Sequence, residues 1–415
     1  MASGAGRMKP LEEARSEVLS SVPLLEPERV SMWESVGRIL AADVISPEDV
    51  PPFANSAMDG FAVRGADVAS AGSVLEVIGD LPAGFQSDLT VGPGEAIRIM
   101  TGAPMPAGAD TVVRVEETLS EASKVTVNSA VDVGTAVRPA GGDVTRGQTV
   151  FTAGTRLTPM HVGVLATVGV AEPEVFARPR VAFMSTGDEL TPVGEALGPG
   201  AIRDSNRPML LALLESTGVE TIDLGIVPDD PGALRAALDR GAEADVVIST
   251  GGVSMGDYDV TKLVLQDDAH VDFWQVAIQP AKPFAFGRIG SALFFGLPGN
   301  PVSVLVSFEQ FARPALLRMQ GARAVLRPRL IARAGETLDT DPEKTVFLRV
   351  RLEGLAEGKP TVFKSGGQAS NVLSAAASAD GFAVVPRGTG AVAAGEEVSV
   401  EMYKWPESRE WRDDR

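Results

Sequence analysis

The stretch STGGVSMGDYD, Ser249 to Asp259, sets two adjacent glycines, a serine and two carboxylates directly after the short apolar run DVVI. Such a run is a buried strand. Glycine lets backbone N–H groups approach an anion, and paired carboxylates suit a hard cation such as magnesium. Two other apolar runs end in the same way. VAFM leads into STGDEL, with Asp188 and Glu189, and LFFG leads into LPGNP, with Pro298, Gly299 and Asn300, and then into a helix start. One such loop is an ordinary turn. Three of them, with Asp188, Glu189, Asp257 and Asp259 gathered on two, point to a phosphate-binding crevice with a cation beside it. Lys282, between prolines in VAIQPAKPFAFG, offers a positive charge on a stiff segment for an oxyanion. There is neither a Walker A pattern nor a GxGxxG, so an ordinary nucleotide loop or dinucleotide fold is not indicated.

These loops need a scaffold whose strand ends converge. Between Arg180 and Leu317 the pattern alternates strand and helix: VAFM, SNRPMLLALLESTG, TIDLGIV, DDPGALRAALDRG, DVVIST, then ALFFGLPGNPVSVLVSFEQF. That rhythm implies a parallel sheet with helices on both faces, whose ligands bind beyond the carboxyl ends. Asn206 and Gly218 are expected to bracket one helix, and Asp230, Pro231 and Gly241 the next. From about Pro51 to Arg146 short β-like runs alternate with glycine, an all-β module. Before it, LEEARSEVLSSV reads as a helix and ERVSMWESVGRILAADV as a helix or strand. After it, GQTVFTAGTRLTPMHVGVLATVG reads as a hairpin and a helix in which His161 is packed. From about Arg327 short strands return, as a small barrel or sandwich. In VFLRVRL, Phe347, Arg349 and Arg351 share one face and Val346, Leu348 and Val350 the other. Arg349, with the glycines and hydroxyls of KSGGQASN, is a further oxyanion candidate.

Totals narrow the chemistry. The 415 residues predict three or four domains. A formal charge of −18 argues against non-specific nucleic-acid binding and requires local cations for any anionic substrate. The absence of cysteine removes thiolate catalysis and Cys-based zinc sites, and two histidines make a Ser-His-Asp hydrolase improbable. The first residues lack the apolar core of a signal peptide and no run reaches the ~18 residues of a membrane span, so a cytoplasmic protein that does not engage membranes is expected.

Taken in series, PPFANSAMDGFAV, RIMTGAPMPAGADTVVRVEET, MSTGDEL, IRDSNRPML, STGGVSMGDYD, LPGNPVSV and SGGQASN resemble the molybdopterin molybdenumtransferase family, that of MoeA and the gephyrin E domain. The resemblance implies a multi-domain α/β plus β chain. Residues 1–44 and 147–177 would form a discontinuous linking domain, 45–146 an inserted β-rich domain, 178–325 a three-layer α/β molybdopterin-binding domain and 326–405 a C-terminal β-barrel, with 406–415 as a tail. It implies a homodimer whose cleft uses the inserted domain of the other subunit, and the molybdopterin adenylyltransferase as a further partner. The implied reaction transfers molybdenum from molybdate to adenylylated molybdopterin, with Mg²⁺ and release of AMP. Asp59, Glu189, Asp257, Asp259 and Lys282 would be catalytic, with Asp257, Asp259 and Glu189 on the metal. Thr101, Asp143, Ser249, Gly251, Gly252, Ser254, Gln279, Pro298, Gly299, Asn300, Arg349 and Ser370 would contact substrate. One departure stands out: many members read Lys-Pro-Gly-Lys-Pro where this chain has Gln279-Pro280-Ala281-Lys282-Pro283. Glutamine can donate a hydrogen bond but carries no charge. Two alternatives were weighed: the adenylyltransferase itself, whose glycine loop typically reads Gly-Gly-Thr-Gly, and a low-activity paralogue or scaffold of the same fold.

Overall fold

The computed structural model describes residues 8–252, 264, 270–354 and 358–404. The chain divides into two compact units, one of residues 29–175 and one that joins 1–28 to 176–415.

In the unit of residues 29–175, six strands form one sheet in the order Thr111–Arg114, Gly60–Val63, Glu95–Ile99, Val74–Leu81, Lys124–Val127 and Thr118–Glu121. This is the all-β module expected from the glycine-punctuated runs. Strand alternation gives it two apolar faces, and both are covered. Phe61, Val63, Leu75, Val113 and Val125 pack on one side, and Ala62, Ile97, Ile99 and Val112 on the other. A separate cluster of Leu40, Val44, Leu157, Leu165 and Val175 surrounds the helix Pro159–Thr167. His161 is packed there, its ring 4.7 Å from that of Phe151, and its Nδ1 accepts a bond from the Thr158 N–H at 3.2 Å.

Two local expectations fail in this unit. ERVSMWESVGRILAADV is neither one helix nor one strand: a 3-10 turn, Met32–Glu34, separates short strand pieces at its two ends, and Gly37 has φ +81°. Thr149–Phe151 is not half of a hairpin: it pairs antiparallel with Val44–Ile45, a partner about a hundred residues earlier for which no local pattern exists.

In the other unit a six-stranded sheet runs Glu220–Val227, Arg180–Thr186, Val246–Thr250, Ala292–Leu297, Pro283–Ile289 and His270–Gln275. The first four are mutually parallel, Pro283–Ile289 runs against them, and His270–Gln275 is antiparallel to Pro283–Ile289. Val181 and Phe183 face the helices Leu11–Ser20 and Arg313–Met319, while Ala182 and Met184 face Leu234, Ala237 and Leu238 of the helix Pro231–Gly241. That makes three layers. Asp230 caps the last helix by accepting from the Ala233 N–H at 2.8 Å, as read from sequence, whereas Gly241 is its final residue rather than lying beyond it.

The C-terminal strands close on themselves. Thr345–Glu353 pairs with Thr361–Lys364 on one side and Gly381–Val385 on the other, and Arg329–Ala334 and Glu397–Met402 complete the ring. Val346, Leu348 and Val350 fill this barrel, while Phe347 packs edge-on against Phe382 at 83°. No described helix is long and apolar enough to cross a membrane.

The turn between Thr118–Glu121 and Lys124–Val127 holds exposed Ala122 at φ +52°, in the region that favours glycine. Because no buried contact is lost there, Ala122→Gly is expected to stabilise this unit by about 1 kcal/mol, read as a higher urea midpoint. An unchanged or lower midpoint counts against strain at this turn.

Candidate active site

Three parallel strands end level with one another. Ser185 is paired with Thr250, and Thr250 with Leu297, so the loops that follow begin on one line. Beyond them lies a cavity of about 800 Å³. Its walls are Thr186, Gly187 and Glu189 after the first strand, Gly251 and Gly252 after the second, Pro298, Gly299 and Asn300 after the third, and Asp204, Asn206, Asp229, Pro283 and Asn371 from neighbouring segments. The three glycine-bearing strand ends read from sequence therefore do share one crevice.

Space and backbone conformation both favour glycine at 251, and backbone conformation favours it at 187. A methyl on Gly187 would sit 2.4 Å from Glu189 Oε2, and Gly187 has φ +144°. A methyl on Gly251 would lie 2.7 Å from the Thr186 carbonyl oxygen, and Gly251 has φ +91° with its N–H donating to the Leu297 carbonyl at 3.0 Å. A methyl on Gly299 would come within 4.0 Å of the Gly251 Cα, so the second and third loops are close neighbours.

Asn206 does not cap its own helix, Asn206–Glu215. The cap is Asp204, whose Oδ1 accepts from the Asn206 and Arg207 N–H groups at 3.1 Å each. Asp204, Asn206, Asp229 and Asn371 were not picked out as site residues from sequence. Asp204 and Asn206 stand in the quoted IRDSNRPML, where a carboxylate two residues ahead of a helix was the available signal. Asp229 and Asn371 carry no pattern that separates them from ordinary loop residues.

Ser249 precedes the wall residue Thr250 and is fully buried, and its Oγ has no hydrogen-bond partner. Lys282 is exposed next to the wall residue Pro283, and Gln279 is exposed on a two-residue strand that joins the barrel at Val346. Ala281 between them has φ +82°, in the region that favours glycine.

Arg349 is fully buried rather than solvated. Its Nη2 donates to the carbonyls of Gly367 at 2.7 Å and Ala369 at 3.1 Å, while Nε has no partner. Burial holds its pKa below the ordinary arginine value. The same loop accepts the Val302 N–H on the Ser370 carbonyl at 3.0 Å, beside Asn371 in the cavity wall. Ser254, Asp257 and Asp259 lie outside the described residues.

In the unit of residues 29–175, Asp59 and Thr101 meet. Asp59 Oδ1 accepts from the Thr101 N–H at 2.7 Å and its hydroxyl at 2.8 Å, and these bonds hold the exposed carboxyl below its ordinary pKa. Asp143 is exposed, with its N–H on the Val50 carbonyl at 2.9 Å.

The N-terminal MoeA region (domains I and II) matches residues 9–169, the probable molybdopterin-binding domain 182–318 and the C-terminal MoeA region (domain IV) 332–403. A molybdopterin molybdenumtransferase from Haemophilus influenzae is 39% identical over 402 residues, which covers 95% of this chain and 99% of the relative. Molybdopterin molybdenumtransferase 2 from Mycobacterium tuberculosis is 38% identical over 404 residues, with 95% and 99% covered. The crystal structure of a molybdopterin biosynthesis MoeA protein from Pyrococcus horikoshii superposes with a TM-score of 0.82 at 29% identity, covering 95% of this chain and all of that one, 100%.

Two outcomes test this geometry. Gly251→Ala should cost roughly 1–3 kcal/mol, seen as a lower denaturation midpoint. Thr101→Val removes one of the two bonds to Asp59 and should raise its pKa part of the way to normal in an NMR titration. Because the folded pKa is depressed, the contribution of Asp59 to stability is present above the unfolded carboxyl pKa and is lost as pH falls through the folded value. A Thr101→Val protein with the wild-type titration curve would show that the hydroxyl bond is not made. With matches along nearly its whole length and a cavity at the expected strand ends, the chain belongs to the MoeA family of molybdopterin molybdenumtransferases.

Proposed function

We propose that this protein is a transferase of molybdenum cofactor biosynthesis that moves molybdenum from molybdate to the dithiolene of adenylylated molybdopterin, with release of AMP. The observation that carries the reading is the cavity itself: it has room for a nucleotide-sized ligand and is built from the motifs that the family match spans. The N–H groups of the glycine loops would receive the pyrophosphate, with Lys282 as the nearby cation. Ser249, Pro298, Gly299 and Asn300 would shape the pocket floor and rim. Molybdate would be held by the unpartnered Arg349 Nε, the Ser370 hydroxyl and Gln279. Asp59, kept ionised by Thr101, and Asp143 would act as acceptors towards substrate.

Among the described residues no cluster of three metal-ligating side chains occurs. Glu189 and Asp229 in the cavity are nevertheless oxygen donors of the kind magnesium takes, and such a site usually completes its shell with substrate phosphate and water. Glu189, Asp257 and Asp259 would therefore hold Mg²⁺. When bound, the ion would neutralise charge on the pyrophosphate. We place the protein in the cytoplasm as a homodimer that receives its substrate from the adenylyltransferase, with the domain boundaries given above. The exposed Trp33 and Met160, 78% and 73% accessible, support a self-association surface.

Purified protein should release AMP from adenylylated molybdopterin only when both molybdate and Mg²⁺ are present. Glu189→Gln and Asp257→Ala should each lower that rate by about 100-fold or more. Gln279→Lys should lower the molybdate concentration needed. Tight substrate binding with no AMP under any condition would instead favour the scaffold reading.

A further inference from the structure

We infer that Asp204 is a positioning residue that ties all three glycine loops of the cavity to one buried hydrogen-bond chain. The chain can be followed atom by atom. Thr250 Oγ1 lies 3.0 Å from Ser185 Oγ, and Ser185 Oγ donates to Asp204 Oδ1 at 3.1 Å. A carboxylate only accepts, so the Ser185 proton is committed to Asp204 and Thr250 must be the donor in the first link. Asp204 Oδ1 also takes the N–H of Asn206, and Asn206 Nδ2 donates to the Gly299 carbonyl at 2.6 Å. Arg207 Nε sits 3.3 Å from Asp204 Oδ2 and completes the carboxylate.

The four linked side chains, Thr250, Ser185, Asp204 and Asn206, are all at least nine-tenths buried. Each end of the chain lands on a different loop. Ser185 precedes Thr186 and Gly187, Thr250 precedes Gly251, and Gly299 lies in the third loop. Water cannot replace these bonds easily, since buried polar groups left unpaired are costly. An ordinary helix cap would need only the Asn206 and Arg207 N–H bonds. The bonds to Ser185 and, through Asn206, to Gly299 add nothing to a cap. What they do is hold the three loops at fixed separation before any ligand arrives.

Hydrogen exchange on the ligand-free protein tests this directly. In Asp204→Ala the amides of Gly251, bonded to Leu297, and Val304, bonded to Asn300, should both exchange about tenfold faster or more. A cap alone would speed exchange only in the helix Asn206–Glu215, and that pattern overturns the proposal. Should Asp204→Ala fail to fold, Ser185→Ala and Asn206→Ala keep the cap bonds and divide the effect: the first should loosen Gly251, the second Val304. If neither moves, the proposal is wrong.

The consequence for turnover rests on the proposed transferase reading, while the exchange result does not, so the two can fail separately. In AMP release, Asp204→Ala should raise KM about tenfold, and Asp204→Asn, which keeps an acceptor at Oδ1, should remain within about threefold of wild type. Equal loss in both variants would contradict a role that depends on that one acceptor.

Discussion

Parallel strands that end at the same level are the constraint on which the cavity depends. Ser185, Thr250 and Leu297 are register partners, so three consecutive loops emerge together and must share one small volume. Sharing it is possible only if backbone approaches backbone more closely than a side chain permits. The glycine at 251 is therefore set by sheet register as much as by any ligand. The Gly187 and Gly251 N–H groups are taken up by the Val227 and Leu297 carbonyls at 3.3 and 3.0 Å, which ties each loop to a neighbouring strand end.

A second buried polar system sets the barrel against the α/β layers. The helical segment from Pro301 to Met319 widens into a π-helical turn at Phe308–Ala312, which turns Glu309 and Gln310 inward. Glu309 takes a two-pronged contact from Arg327 at 2.8 and 2.9 Å. Gln310 accepts from Arg15 and donates to Glu401 at 2.8 Å, and Glu401 is also bonded by Arg329. An N-terminal helix, the last α/β helix and two barrel strands thus meet through one satisfied network. Removing Glu309 from the network would leave the part-buried Arg327 without its two-pronged partner, and such a loss is costly. The value of the network lies in fixing one arrangement of these elements.

Much of this was legible before the structure. Strand–helix alternation gave the three-layer part, glycine-spaced runs the β module, and the two-residue period of VFLRVRL correctly separated Phe347 from the barrel-facing Val346, Leu348 and Val350. What escaped were pairings between distant segments. Thr149–Phe151 with Val44–Ile45 has no local pattern, and closure of the barrel by Thr345–Glu353 on two partners does not show in any one strand. At the site, glycines and carboxylates beside strands could be seen because their chemistry is unusual in a turn. Asp204 did not stand out, since its bond to Ser185 joins residues 19 positions apart in sequence. The burial of Arg349 was not legible, because alternation shows that a residue shares a face but not whether that face is covered.

The placement of the helix Leu11–Ser20 bears on the order in which the chain is made. Its apolar face, Leu11, Ala14 and Val18, packs with residues of the segment 301–319, and Arg15 reaches Gln310 across 295 positions. Residues 29–175, a separate unit, are synthesised in between. A ten-residue helix does not persist alone in water. This helix therefore gains its native packing only after the segment 301–319 has been made. The unit of residues 29–175 contains its own core and can fold during that interval. Native packing of this helix thus requires closure of a loop of 295 positions, which is entropically slow to find.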